Sequence, residues 1–167
     1  MRRIAALIIS LFCVSHLRAV EPISTAFGQV LGAKVPSDAE LVVTARILAW
    51  AFPPDRELDG ATAYYCAVVP STRQIAEIIV QGRLPTPAAF RAIRRALEEK
   101  YGAATEASPD WQRIQSWRLK RAGRSIVATY EGDDGTFFVA YSDAALLKKA
   151  EADLEGQRAE AARRSGL

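Results

Sequence analysis

Apolar and polar positions change rhythm several times along this chain. Between Thr86 and Gly102 the apolar residues Phe90, Ile93, Leu97 and Tyr101 recur at i, i+3, i+7 and i+11, one stripe of a helix. Ala89, Ala92 and Ala96 flank that stripe, while Arg91, Arg94, Arg95, Glu98, Glu99 and Lys100 fall towards water. Thr86 supplies an N-cap, Pro87 a first helical residue that needs no N–H, and Gly102 a stop. The spacing predicts a helix over about 87–101 with a single apolar face, which calls for a sheet beneath it.

The flanking segments alternate with period two instead. Thr62–Val69 and Gln74–Gln81 read as strands joined by a turn at Pro70-Ser71-Thr72-Arg73. Trp111–Lys120, Ser125–Glu131 and Thr136–Tyr141 read as a three-stranded meander, and Ala103–Asp110 as a loop before it. Trp111 and Trp117 stand an even number of residues apart, so a strand through both puts them on one face. Ser142 or Asp143 caps a last helix with Leu147, Ala150 and Leu154 on one stripe and Gly156 as its stop. Residues 157–167 then form a polar tail, either a helical extension or disordered.

Two segments leave alternatives open. Ala26–Gly32 is a short strand or a turn, with glycines at 28 and 32. Leu41–Phe52 is apolar with poor alternation. It reads as a strand from about Thr44, ended by Pro53-Pro54, or as a helix from Asp38 to Trp50 started by the capping-box pattern Ser37-Asp38-Ala39-Glu40. Strands, a helix, strands and a terminal helix predict one α+β domain over 20–156, with a largely antiparallel sheet packed on the central helix.

The N-terminus changes the composition. Met1-Arg2-Arg3, an apolar run from Ile4 to Leu17, and Leu17-Arg18-Ala19 follow the order of a secretory signal peptide over residues 1–19, cleaved after Ala19. An uncleaved anchor is the alternative. Cleavage removes Arg2, Arg3 and Arg18 and no acid, so the formal charge of +3 falls to zero and the basic pI is no argument for nucleic acid. It also removes the only histidine, His16, and Cys13, leaving Cys66 as an odd thiol in an apolar strand, where burial is expected.

Without histidine, Ser-His-Asp and Cys-His mechanisms lack their base, and the usual zinc sites lack ligands. No phosphate-binding glycine loop occurs. No cofactor is expected. Two acidic clusters remain, Asp55-Glu57-Asp59 and Asp133-Asp134. Each reads either as a solvated turn or as a calcium or glycosidase carboxylate set. The densest basic region is Arg113, Arg118, Lys120, Arg121 and Arg124 beside Trp111 and Trp117, a candidate binding patch with tryptophan anchors or else a solvated hairpin over a tryptophan core.

The quoted features also form a layout. Phe27-Gly28 with Leu31-Gly32 makes F-G-x-x-L-G; Pro70 ends a strand; Lys100-Tyr101-Gly102 ends the helix; Tyr141-Ser142-Asp143 closes the meander. This layout resembles small exported bacterial proteins of unknown function, and the resemblance implies a periplasmic α+β module with no established activity. The expectation from the sequence is a periplasmic or secreted, non-enzymatic binding module for an envelope protein or glycan. The alternatives are a carboxylate-dependent hydrolase of cell-wall glycan and an inhibitor or immunity-type protein.

Overall fold

The computed structural model describes residues 20–35, 39–43 and 48–165. The expected signal peptide therefore lies outside the described residues. The chain is an α+β fold built on one antiparallel sheet. In order, its elements are β1 (Thr25–Ala26), β2 (Gln29–Val30), β3 (Glu40–Val43), β4 (Leu48–Ala51), β5 (Ala61–Val68), β6 (Ile75–Arg83), α1 (Pro87–Tyr101), β7 (Glu106–Ala107), β8 (Ile114–Arg121), β9 (Arg124–Glu131), β10 (Thr136–Asp143) and α2 (Ala144–Arg164).

Strands β3 to β10 form an eight-stranded sheet in the order β3-β4-β5-β6-β10-β9-β8-β7. Two meanders meet at β6 and β10. α1 carries the chain from the centre of the sheet to its far edge, and β8, β9 and β10 return step by step. The register sets the core. Tyr64, Val80, Val139, Ala128 and Trp117 face one another across five strands, and Cys66, Ile78, Tyr141, Ile126 and Leu119 form the adjacent row. All ten are buried on one face.

α1 covers that face. Thr86 caps it, its side chain accepting from the Ala89 N–H, and the Gly102 N–H closes it on the Glu98 carbonyl. Phe90 stacks on Tyr130 with ring centroids 5.5 Å apart, and Tyr101 meets Tyr141 edge-on at 6.0 Å. Three of the four predicted stripe residues, Phe90, Leu97 and Tyr101, are buried, and Ile93 is half-buried. The β1–β2 hairpin lies on the same face and adds Ile23, Ala26 and Leu31 to the core. Ala26–Gly32 is thus both strand and turn.

α2 covers part of the opposite face. Ala150, with Leu146 and Leu147, packs on Val69 and Ala76. Asp143 is the cap, its carboxylate accepting from the Ala145 and Leu146 N–H groups. Gly156 does not stop this helix, which runs on to Arg164. The tail is exposed and rich in alanine, arginine and glutamate, good helix formers that together outweigh the ~1 kcal/mol cost of one glycine.

Three further expectations change. A helix over Asp38–Trp50 is ruled out by β3 and β4, which pair antiparallel from Glu40 opposite Ala51 to Val43 opposite Leu48. Two short strands share that run, so no single alternation spans it. Residues 44–47 of the alternative strand, and Ser37 and Asp38 of the capping box, lie outside the described residues. β8 begins at Ile114, not Trp111, and β7 occupies part of the expected 103–110 loop as an edge strand. Among the described residues no helix is long and apolar enough to cross a membrane.

Candidate functional site

The residues of the basic hairpin occupy different environments. Trp117 is fully buried, and its indole N–H donates to Glu98 Oε1 of α1 at 3.0 Å. Trp111 lies before β8, where strand parity does not apply, and is 82 % exposed beside Ile114 at 50 %. Most of the cations have acceptors within the chain. Arg113 pairs with Asp133 at 2.6 Å and Arg118 with Glu106 of the edge strand at 3.2 Å. Arg121 Nη2 donates to the Tyr101 carbonyl at 2.8 Å, satisfying an orphan acceptor at the end of α1. Arg124 bonds Asp143 at 3.1 Å and the Ile23 carbonyl at 2.9 Å. Lys120, Arg121 and Arg124 come together along a shallow groove with Gly123 and Ala144. Only Lys120 of the seven predicted residues is both charged and without an ion pair or hydrogen bond among the described residues. Carboxylates therefore match Arg113, Arg118 and Arg124, while Lys120 and Arg121 have no anionic partner among the described residues.

The two acidic clusters have different fates. Asp133 pairs with Arg113, and Asp134 Oδ1 accepts the Thr136 N–H at 2.8 Å, a local turn. That backbone bond holds the Asp134 carboxyl below its usual range. Asp55, Glu57 and Asp59 instead border a concave site. Among the described residues no group of three or more His, Cys, Asp or Glu side chains could hold a metal ion.

This site is a cleft of about 370 Å³ between α1 and the Arg56–Asp59 segment. Val139 and Tyr141 of β10 line its floor, and Ile93, Leu97, Lys100 and Tyr101 of α1 form one wall. Phe27 and Arg56–Asp59 form the other. A smaller lobe brings Asp55 beside Arg56 and Lys100.

Local chemistry explains how each part is held. The Leu58 N–H donates to the Tyr64 hydroxyl at 2.7 Å, tying the acidic segment to the sheet. Phe27 and Gly28 make the two-residue turn of the β1–β2 hairpin with φ of 52° and 82°, a left-handed conformation unusual for phenylalanine. The ring occupies an aromatic cluster, edge-on to Tyr64 at 5.4 Å and to Tyr141 at 6.1 Å. A Cβ on Gly28 would approach the Asp55 side chain to 3.1 Å, so the turn and the acidic loop share one packed contact. The Tyr101 hydroxyl donates to the Thr25 carbonyl at 3.3 Å.

The mouth of the cleft carries charge of both signs. Lys100 Nζ lies 3.4 Å from the Glu21 carboxylate and 5.1 Å from the centroid of the Tyr101 ring. Burial lowers the Lys100 pKa, but Tyr101 and Glu21 together outweigh it and hold the ammonium above its ordinary value. Burial, and then the neighbouring Tyr101, push the Tyr141 phenol well above the usual range, so it stays protonated. The arrangement can receive a small molecule with an apolar body and a charged end, the usual make-up of a ligand pocket.

Of the cleft residues, sequence reasoning singled out Asp55, Glu57 and Asp59. Phe27 and Tyr141 figured only in the layout of short motifs, and Lys100 and Tyr101 there and as the polar face and apolar stripe of the helix. A phenylalanine directly before glycine at a hairpin turn, where Asn or Asp is usual, was the one local signal available. No protein family, curated protein or solved structure matches the chain.

Proposed function

We propose that this chain is a non-enzymatic binding module of the cell envelope, and that its site is the cleft between α1 and the Arg56–Asp59 segment. The observation that carries the reading is the apolar interior of the cleft beneath a charged mouth, assembled from β10, α1, the β1–β2 turn and the acidic loop. Its volume falls in the ordinary range for small-molecule pockets, about 300–1,000 Å³. A neutral apolar fluorophore such as N-phenyl-1-naphthylamine tests it. The full chain should bind the probe saturably at one site. Ile93→Trp, which fills the cleft from a half-buried position, should abolish binding while leaving the unfolding midpoint close to that of the parent. Unchanged binding in that variant would sink the cleft as the site.

Placement in the envelope rests on the charged, apolar and small-residue order of residues 1–19. Protein recovered from a periplasmic fraction should begin at Val20; recovery from the cytoplasm with Met1 intact would refute it.

One observation favours a second reading. Glu57 and Asp59 border the same cleft, as a carboxylate-dependent hydrolase of cell-wall glycan requires. Both side chains are exposed, however, whereas a glycosidase acid works from a site shielded from water. Release of reducing ends from peptidoglycan, lost in Glu57→Gln, would establish hydrolysis over binding.

A further inference from the structure

The charge around the cleft mouth is unbalanced, and the imbalance selects among ligands. Four carboxylates, Glu21, Asp55, Glu57 and Asp59, surround it, against two cations, Arg56 and Lys100. Glu21 is already committed to Lys100. Among the described residues the three loop carboxylates form no ion pair or side-chain hydrogen bond. They face one uncommitted cation, Arg56. All three are exposed, so a ligand can reach them without first breaking an internal contact.

The interior adds aromatic surface to this field. Phe27, Tyr101 and Tyr141 line the cleft with aromatic carbon, a surface for a ligand's apolar body. The chain displays the chemistry itself. Lys100 places its own ammonium 5.1 Å from the centroid of the Tyr101 ring and 3.4 Å from the Glu21 carboxylate. An anionic ligand would find only Arg56 free and would be repelled by the three loop carboxylates. A neutral one would gain the apolar contacts alone.

We propose that the cleft takes a small organic cation, an amine whose apolar body lies against Leu97, Val139 and Tyr141 while its ammonium is held at the mouth by Glu57 and Asp59. This rests on the reading of the cleft as a ligand site, and three probes of matched size separate the two claims. They are phenethylamine, 2-phenylethanol and 3-phenylpropionate, each titrated calorimetrically into the full chain at low ionic strength.

The amine should bind tightest, the alcohol more weakly and the carboxylate weakest. The double variant Glu57→Gln, Asp59→Asn should weaken the amine by roughly three- to tenfold, as expected for two exposed charge contacts, and leave the alcohol unchanged. Added salt should weaken the amine alone. Equal affinity for amine and alcohol, or tighter binding of the carboxylate, overturns the cation assignment while the cleft remains a ligand site. No binding of any probe, with Ile93→Trp indistinguishable from the parent, overturns the cleft reading and the cation assignment together.

Discussion

Two tryptophans six positions apart carry opposite roles, and substitution separates them. Trp117 sits in the buried row of β8 and bonds Glu98, so Trp117→Ala removes a large core side chain and a cross-element hydrogen bond. It should cost about 3–5 kcal/mol, read as a lowered urea midpoint. Trp111→Ala, at an exposed position, should change stability by no more than about 0.5 kcal/mol. Cys66 is the other residue whose environment fixes its behaviour. Burial pushes its thiol up to about 12, so little thiolate exists at mildly alkaline pH. Ellman's reagent should leave the native protein unmodified and titrate one thiol per mature chain once it is unfolded in guanidinium. Rapid reaction of the native state would show that the β5 row opens. A disulfide between chains through Cys66 is excluded in the folded state by the same burial.

At the scale of elements, legibility followed the strength of the periodic signal. α1 was readable to the residue because cap, N1 proline, stripe and stop all agree within Thr86–Gly102. α2 was readable at its start, where Asp143 caps it, but not at its end. Gly156 has open space where a Cβ would stand, so its only effect is the entropic cost of glycine in a helix. Gly156→Ala should therefore stabilise the protein by about 0.5–1 kcal/mol, with a matching rise in helical circular dichroism on heating. A neutral result would mean the last turns of α2 are not formed in solution. β3 and β4 were not legible as two strands, because an apolar run that folds back on itself presents no single phase.

Over the whole molecule, the two faces of the sheet differ. One carries α1 and the β1–β2 hairpin and opens only at the cleft between α1 and the acidic loop; the other is only partly covered by α2 and leaves Phe138 exposed. Glu77 stands on that second face beside Ser142, the residue before the α2 cap, whose hydroxyl donates to Glu77 Oε1 at 2.6 Å. Burial raises the Glu77 pKa above its ordinary 4.5 and the Ser142 bond offsets part of that rise. The folded state then holds a proton that the unfolded state has released. Stability from this group is complete below 4.5 and is lost as pH rises through the folded value. Glu77→Gln, which keeps an acceptor for Ser142, should flatten that loss and raise the urea midpoint at neutral pH relative to the parent. Asp134 and Asp153, held low by bonds to Thr136 and Ser71, act in the opposite sense at more acidic pH and are common to both proteins. A parent and variant that track each other across pH would show that Glu77 is not coupled to folding.

Residue order alone carries the α+β class, the position and face of α1, the hairpin before it and the meander after it, because each rests on contacts between near neighbours in the chain. It also excluded the histidine-based mechanisms for the mature chain expected from signal cleavage, since no arrangement in space replaces a missing side chain. Long-range packing makes Trp117 core and Trp111 surface, gives the four hairpin arginines internal acceptors, and makes one acidic cluster a turn while the other borders a cleft. Those outcomes depend on pairs such as Arg124 with Ile23, Lys100 with Glu21 and Phe27 with Tyr141. Their partners lie far apart in the chain and meet only through the order of strands in the sheet, which local periodicity does not encode.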